Sequence, residues 1–373
     1  MARSSPIDTP DRTDGALVSL YGPPDTGVPV VQAYDHYELE YAALRKGAGV
    51  IDRPQRGLIE VTGDDRTQFL HRMLTDDVVS LSPPASTRAF WLGRKGRITA
   101  DLLVVALEGR VLLDLDVHAV APTIESLDAF IIADDVELTD RSDELHRLSL
   151  LGPASLELFA DRTGAPPDLA DTGVINVQIA GADLLAIRQD TIGAPGLELI
   201  MQASDASSVR DALTSEPNAA RLVGWAAYNT ARVESGWPLF MIDFGPDSLP
   251  HETGVLYDRV NFKKGCYPGQ EVVARMESLG RPKQRLVSLT PNSQIEEARQ
   301  PDAGAEITTG EGDDAKTIGA VTSSVVSPML SSRPVALAMV REAHSAPGGT
   351  LRIEGADWTV CDNLAAWDAA RVH

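Results

Sequence analysis

The spacing of apolar and polar residues predicts alternating helices and strands over the first 280 positions. Tyr37, Tyr41 and Leu44 recur on one helical face, Asp35 can cap that helix, and Gly47 can end it. The same pattern predicts helices at 63–74 and 121–130 and strands at 57–61, 86–92, 98–107, 111–115, 135–138 and 145–151. A second helix-then-strand series follows. We therefore expect an α+β body of antiparallel sheets with helices, in two halves of approximately 31–150 and 151–282.

The pattern differs at both ends of the chain. After residue 282, turn residues separate short β-type segments, which predicts an all-β barrel over residues 283–373. Residues 1–30 are rich in Pro, Gly, Ser and Asp and show no sustained period. This composition predicts a mobile N-terminal tail with one short strand at 16–20.

The composition narrows the class of protein. The 373 residues carry a net charge of −21 and are 43% hydrophobic, which is typical of a soluble globular chain. So acidic a chain is not expected to bind nucleic acid, and no apolar run reaches the ~18 residues of a membrane span. The N-terminus lacks the apolar core of a signal peptide. Two cysteines, Cys266 and Cys361, make neither a disulfide framework nor a metal clip. We expect a cytoplasmic protein without a metal site.

One stretch of this acidic chain is basic. Between Arg259 and Arg285, seven Lys and Arg residues face only Glu271 and Glu277, a local charge of 7 − 2 = +5. A positive patch on an acidic protein indicates that an anion binds there. Cys266 lies within this basic stretch, beside a turn at Pro268, where positive neighbours and tight backbone favour an exposed, reactive thiol. The alternative is a buried, inert cysteine.

The residues around Cys266 match a known family motif. The run Lys264-Gly265-Cys266-Tyr267-Pro268-Gly269-Gln270-Glu271 resembles the K-G-C-[YF]-x-G-Q-E motif of the folate-binding YgfZ family. Those proteins are relatives of the glycine-cleavage T-protein, an aminomethyltransferase, and are implicated in the maturation or repair of iron–sulfur clusters. The resemblance covers roughly residues 31–360. It implies that Cys266 is the reactive thiol and that Lys264, Tyr267, Gln270 and Glu271 contact the cofactor.

Two more segments are similar to T-protein motifs. The strand 196–200 resembles G-[YF]-E-[LI], whose glutamate hydrogen-bonds the pterin ring of folate, so Glu198 would accept from its 2-amino and N3–H groups. The alternative is an outward-facing strand residue. The run 231–238 resembles L-R-[LI]-E-x-G-x-P, which would place Arg232 at the folate. The alternative for Arg232 is a helix-terminal salt bridge with Glu234.

A further segment departs from the T-protein pattern. T-proteins have K-G-G-x-x-D-D, with an aspartate that handles the amine, where this chain has Lys95-Gly96-Arg97-Ile98-Thr99-Ala100-Asp101. Ala100 replaces one acidic residue, which weakens the case for aminomethyl transfer. Asp101 remains as a candidate catalytic carboxylate. A solvent-facing strand residue is the alternative for Asp101.

Together the resemblance implies a T-protein-like folate-binding body over residues 31–282, followed by the C-terminal barrel. The expected cofactor is tetrahydrofolate or a one-carbon-substituted folate. The expected function is that of an accessory protein in iron–sulfur cluster assembly or repair, with iron–sulfur proteins or assembly factors as partners. One alternative is a folate-dependent aminomethyltransferase or demethylase of the T-protein type. Another is a folate-binding scaffold in which Cys266 is inert.

Overall fold

The computed structural model describes residues 3–7, 16–165, 169–216, 218–292, 299–310 and 315–365. The chain forms two compact units: Met1–Trp91 with Ala100–Tyr228, and Leu92–Thr99 with Asn229–His373. The helices are α1 (Tyr37–Lys46), α2 (Arg66–Met73), α3 (Val120–Asp128), α4 (Ser155–Thr163), α5 (Ala206–Thr214), α6 (Trp225–Glu234), α7 (Leu256–Arg259) and α8 (Gln270–Leu279). Among the described residues, no helix is long and apolar enough to cross a membrane.

The described residues also form β-strands. They are β1 (Leu17–Tyr21), β2 (Val28–Ala33), β3 (Gly49–Asp52), β4 (Arg56–Thr62), β5 (Ala85–Leu92), β6 (Ile98–Leu107), β7 (Arg110–Asp116), β8 (Glu137–Asp140), β9 (Leu145–Leu151), β10 (Val174–Ile179), β11 (Ala182–Arg188), β12 (Gly196–Gln202), β13 (Arg221–Leu222), β14 (Gln284–Pro291), β15 (Glu306–Thr309), β16 (Lys316–Ser327), β17 (Arg333–Arg341), β18 (Thr350–Ile353) and β19 (Ala356–Val360).

Two sheets form the core of the first unit. As described, one has the strand order β10-β11-β12-β9-β3-β13 and the other β5-β6-β7-β4-β8. Apolar side chains from both sheets, including Leu58 and Val105 of one and Leu185 and Ile200 of the other, form a shared core cluster. Helices α4 and α5 cover the opposite face of the first sheet with residues such as Phe159. Every residue of β9 is therefore buried, as expected for a strand that is covered on both faces.

The second unit contains the expected barrel. Strands β14, β17, β16, β15, β18 and β19 close on one another in that order, and their inward side chains form a core that includes Ile307, Leu351 and Trp358. The α+β body and the C-terminal all-β barrel predicted from the sequence are thereby confirmed.

The structure corrects part of the expected mobile tail. Strand β1, which corresponds to the strand expected at 16–20, pairs antiparallel with β2, so residues 17–33 form a hairpin. Val28 and Val30 are buried, and Tyr21 donates a hydrogen bond to Asp116 of β7. Because Asp116 is 95 positions away from Tyr21, the Pro- and Gly-rich composition of the segment did not reveal this contact.

The expected division near residue 150 is also corrected. Residue 150 lies inside β9, which pairs with β3 on one side and with β12 on the other. A boundary there would split one sheet between two halves. The segment 229–282, which was expected to belong to the body, falls in the same compact unit as the barrel. A separate domain over residues 283–373 therefore stays a prediction.

Candidate functional site

Glu198 lies on the face of its sheet that is turned toward the second sheet of the first unit. Its neighbour on the same face, Ile200, belongs to the core cluster shared by the two sheets. Glu198 is only 1% exposed. The alternative of an outward-facing strand residue is therefore wrong, and the carboxylate needs polar partners inside the unit.

The partners of Glu198 come from the adjacent strand β9. Ser149 is directly opposite Glu198 in the antiparallel register. The Ser149 hydroxyl and the Nε–H of Arg147 both donate to Oε2 of Glu198, the latter over 2.6 Å. A carboxylate oxygen accepts about two such hydrogen bonds, so Oε2 is saturated. Oε1 of Glu198 is buried and has no hydrogen-bond partner among the described residues.

Arg147 connects Glu198 to a second buried carboxylate, that of Asp114 on β7. Its Nη1–H donates to Oδ2 of Asp114, whose Oδ1 accepts from the Nε–H of Arg56 over 2.7 Å. Burial disfavours the charged guanidinium, but Asp114 and Glu198 outweigh burial and raise the pKa of Arg147 above its ordinary value. The result is a chain of alternating charges that joins the two sheets of the first unit and fixes the orientation of Glu198.

Arg232 has a different environment from the one that the resemblance implied. It is 1% exposed, and its guanidinium donates to Asn229, Asp243 and Ser323 of the second unit. The suggested salt bridge with Glu234 does not form, because Glu234 accepts from the Ser327 hydroxyl instead. A ligand role for Arg232 stays a prediction, and these partners argue against it since they already engage all three guanidinium nitrogens.

The predicted thiol loop precedes α8 in the second unit. Cys266 is an exposed free thiol, so the alternative of a buried cysteine is wrong. Gly269 caps α8 with a φ of 80°, and the side-chain amide Nε2 of Gln270 donates to the carbonyl of Gly265 over 3.4 Å. These contacts close the loop on itself and leave the sulfur accessible to other molecules.

The other predicted cofactor residues of this loop lie close to its turn. The Lys264 Nζ is 5.4 Å from the ring centroid of Tyr267. Tyr267 is buried, and burial raises its pKa to about 12. Glu271 is exposed in the first turn of α8. No contact here tests their roles as ligand residues, which stay predictions.

Part of the basic stretch is neutralised inside the second unit. Arg259 pairs with Asp258, and Arg285 pairs with Glu342 over 2.9 Å. The exposed cations of the stretch are Lys263, Arg275, Arg281, Lys283 and Arg285. In the part of the chain that the structure describes, no group of three or more His, Cys, Asp or Glu side chains is placed to hold a metal ion.

Asp101 is half-buried on β6 of the first unit, next to the fully buried Ala100. Adjacent strand residues point to opposite faces. An acid at position 100 would consequently lie in the core, whereas Asp101 reaches the other face. The structure thus explains why Asp101 is the more accessible of the two positions but leaves its catalytic role a prediction.

Sequence reasoning missed Arg147, Asp114 and Arg56. Position 147 alternates with the apolar residues Leu148 and Leu150 along β9, and an arginine within so buried a strand is a signal of an internal ion pair. Its partners are 33 and 51 residues away in the chain, however, and spacing alone does not identify them.

Two parts of the chain match known domains of one protein family. Residues 20–264 match the GCVT N-terminal domain, and residues 284–361 match the glycine cleavage T-protein C-terminal barrel domain. A probable aminomethyltransferase from Halobacterium salinarum is 30% identical, with 95% of this chain and 96% of the relative covered. An aminomethyltransferase from Streptomyces coelicolor is 29% identical, with 93% and 91% covered.

A solved structure agrees with the fold. The glycine cleavage system aminomethyltransferase T from Bartonella henselae superposes with a TM-score of 0.81, at 23% identity and with 93% of each chain covered. At that identity the likeness concerns the fold alone. The names of the sequence relatives agree better with the aminomethyltransferase alternative than with the iron–sulfur interpretation.

Proposed function

The chain belongs to the glycine cleavage T-protein family, and we propose that it binds tetrahydrofolate in its first unit and uses it as the acceptor of a one-carbon unit. Tetrahydrofolate is the substrate or cofactor of this family. When bound, it supplies the nitrogen atoms that take up the one-carbon unit.

The observation that carries the proposal is that Oε1 of Glu198 is buried and has no hydrogen-bond partner in the part of the chain that the structure describes. A buried carboxylate oxygen without a donor is unfavourable, by about 1–3 kcal/mol for an ordinary polar group and more for a charged one. The pterin ring offers two adjacent donors, its N3–H and 2-amino groups. Since Arg147 and Ser149 saturate Oε2, both pterin donors would be accepted at Oε1, which has two lone pairs. Glu198 therefore fits the pterin ring of the folate, and it would accept both hydrogen bonds through one carboxylate oxygen rather than through two.

Aminomethyl transfer is the activity that we propose for this site. It is supported by relatives that bear that name and match 93–95% of this chain. In the reaction, the carbon of an aminomethyl-thiol donor forms bonds to two nitrogen atoms of the folate, its C–N and C–S bonds break, and ammonia and the free thiol leave. We propose that the carboxylate of Asp101 holds the amine nitrogen of the donor in position, the task for which a fixed anion is suited.

Release of ammonia tests this activity. The purified protein is mixed with tetrahydrofolate and an aminomethyl-thiol donor, and ammonia and methylene-tetrahydrofolate are measured. Asp101→Asn is expected to lower the rate about 100-fold or more. Asp64→Asn, a change at an exposed acid of the same unit, is the control and should leave the rate unchanged. A wild-type protein that binds tetrahydrofolate but releases no ammonia would refute the transfer activity.

A second candidate function is an accessory role in iron–sulfur cluster assembly or repair, as in the YgfZ family. The observation that favours it is the exposed thiol of Cys266 within Lys264–Glu271. Because clusters are held by several thiolates, Cys266 would contact a cluster only together with ligands from an iron–sulfur protein or assembly factor. A cytoplasmic location also stays a proposal, supported by two free cysteines.

Substitution of each cysteine in cells separates the two functions. Cys266→Ala is expected to reduce the activity of iron–sulfur enzymes if the accessory role holds, whereas Cys361→Ala should not. Cys361 is a suitable control because it is the other free thiol, and burial raises its pKa and so disfavours its thiolate form. Unchanged iron–sulfur enzyme activity with Cys266→Ala would leave aminomethyl transfer as the function.

A further inference from the structure

The turn that links β3 to β4 contains a buried arginine, Arg53. Arg53 is 4% exposed, and it follows directly after the last residue of β3. Its backbone N–H donates to the carbonyl of Arg147 over 3.2 Å. This bond extends the β3–β9 register, in which Ile51 is opposite Ser149, by one pair. Arg53 is therefore the cross-strand neighbour of Arg147.

The side chain of Arg53 lies near the same charged chain that fixes Glu198. Its Cζ is 4.2 Å from the ring centroid of Tyr228, and its Nη2–H donates to the Tyr228 hydroxyl over 3.3 Å. Tyr228 also acts electrostatically on the Arg147 guanidinium. In the same sheet, Ser149 of β9 is opposite Glu198 of β12. Arg53, Arg147 and Glu198 thus occupy neighbouring positions in the first unit.

Two donor nitrogens of Arg53 have no acceptor in the described part of the chain. Its Nε and Nη1 are buried and have no hydrogen-bond partner among the described residues. A buried, charged donor without an acceptor is rare and unfavourable, because the guanidinium has lost water without regaining a partner. Among the described residues, Arg53 thus has two hydrogen-bond donors without acceptors, and Glu198 has one acceptor, Oε1, without a donor. A ligand with both donors and acceptors could bind to both side chains.

We propose that Arg53 binds the 4-oxo oxygen of the folate whose N3–H and 2-amino groups Glu198 accepts. This inference rests on the proposed function. In the pterin ring the N3–H group lies between the 2-amino group and the 4-oxo oxygen, so a ligand held by Glu198 presents that oxygen at one side of the carboxylate. A guanidinium in that place supplies the matching donors. Arg53 then distinguishes a 4-oxo from a 4-amino pterin together with Glu198, because a 4-amino pterin has neither the 4-oxo oxygen nor the N3–H donor.

The test compares two ligands and two proteins. Tetrahydrofolate and its 4-amino analogue are titrated calorimetrically into the wild type and into Arg53→Met, which removes the donors and roughly keeps the volume. The wild type is expected to prefer tetrahydrofolate, and Arg53→Met to lower that preference at least tenfold. Arg72→Met, at an exposed arginine of the same unit that pairs with Asp134, should keep the wild-type preference.

The ratio of the two affinities identifies the contact. An unchanged ratio in Arg53→Met would overturn the role of Arg53 and leave folate binding intact. No binding of tetrahydrofolate by the wild type would overturn folate binding and the role of Arg53 together. Using the ratio excludes effects that weaken both ligands equally, such as a general disturbance of the site.

Thermal unfolding of the ligand-free protein provides a second readout. Because Arg53→Met removes two unpaired buried donors, we expect it to raise the midpoint temperature while it weakens tetrahydrofolate binding. A structural role for Arg53 predicts the reverse, namely a lower midpoint and an unchanged preference between ligands. That combination would overturn the proposal.

Discussion

Arg147 lies between two buried carboxylates and forms an ion pair with each; Asp114 is also paired with Arg56, whereas Arg147 is the cation that pairs with Glu198 among the described residues. If the guanidinium is removed, Glu198 and Asp114 remain as neighbouring anions in a region with little access to water. Breaking a buried ion pair on one side destabilises a protein by about 3–5 kcal/mol, because the partner is left uncompensated. The loss is larger than the net contribution of the intact pair.

We therefore predict that Arg147→Met lowers the free energy of unfolding by about 3–5 kcal/mol. Urea denaturation monitored by circular dichroism measures this change. Arg72→Met breaks an exposed ion pair with Asp134 and should change the free energy by less than about 1 kcal/mol. Equal effects of the two substitutions would show that the buried charge chain contributes no more than a surface pair.

At the scale of single residues, the sequence could identify Glu198 but not its surroundings. The G-L-E-L-I pattern and the resemblance pointed to Glu198, whereas Arg147 is on another strand, 51 positions earlier. Arg232 shows the converse problem. Its motif pointed to a ligand, but folding brings Asp243 and Ser323 to its guanidinium, and only the tertiary structure reveals that these partners compete for it.

At the scale of elements, the start of α8 depends on one glycine. Gly269 has a φ of 80°, and a Cβ there would lie 2.7 Å from the carbonyl oxygen of Gly93 and 2.9 Å from the Cα of Gly96. All three residues belong to the second unit. A side chain at 269 would be strained by the backbone and would push α8 away from the turn at 93–96.

Gly269→Ala is accordingly expected to destabilise the protein by about 1–3 kcal/mol, the usual range for backbone strain at a non-glycine residue. Gly265→Ala, in the same loop, is the matched control because a Cβ there meets nothing within 4 Å. Urea denaturation of both variants provides the comparison. If Gly265→Ala were as destabilising as Gly269→Ala, the loop rather than the α8 cap would be the sensitive feature.

A histidine, His251, lies next to the C-terminal half of α8. His251 Nε2 lies 3.2 Å from Oε2 of Glu277, and the other carboxylate oxygen, Oε1, accepts a hydrogen bond from the Tyr257 hydroxyl. Burial lowers the pKa of His251, and Glu277 opposes this effect only in part. In the unfolded chain the same histidine takes up a proton near pH 6.5. The unfolded state therefore binds more protons than the folded state as the pH falls below about 6.5, which favours unfolding.

The predicted consequence is a midpoint temperature that falls between pH 7.5 and pH 5.5 and that falls less in His251→Gln. Differential scanning calorimetry at both pH values gives the two slopes. His36→Gln, at an exposed histidine, should retain the wild-type slope. A steeper fall in His251→Gln than in the wild type would contradict the sign, since it would mean that protonation of His251 stabilises the fold.

The elements themselves were largely predictable, because periodicity is a local property. The helical face of Tyr37, Tyr41 and Leu44 became α1, and the short β-type segments after residue 282 became the barrel. The strand at 16–20 was predicted and corresponds to β1, but its partner β2 was not, so the hairpin was missed. Its anchor, Tyr21 on Asp116, joins positions 95 residues apart.

At the scale of the whole molecule, the fold was accessible from the sequence because the resemblance extends over most of the chain. The choice between the two functions could not be made from the sequence. It depends on two residues in different segments, and the motifs do not show which of them determines the function. Asp101 supports aminomethyl transfer, and the exposed Cys266 supports a role with iron–sulfur proteins. Both proposed functions place a folate at Glu198, which makes that contact the central claim.

Calorimetric titration of tetrahydrofolate into the wild type, Glu198→Ala and Glu157→Ala tests this claim most directly. Glu157 is an exposed acid on α4 of the same unit and serves as the matched control. We predict micromolar binding by the wild type and by Glu157→Ala, and at least tenfold weaker binding by Glu198→Ala, equivalent to about 1.4 kcal/mol or more. Equal affinities of the three proteins, or no binding by the wild type, would contradict the assignment of the folate site to Glu198.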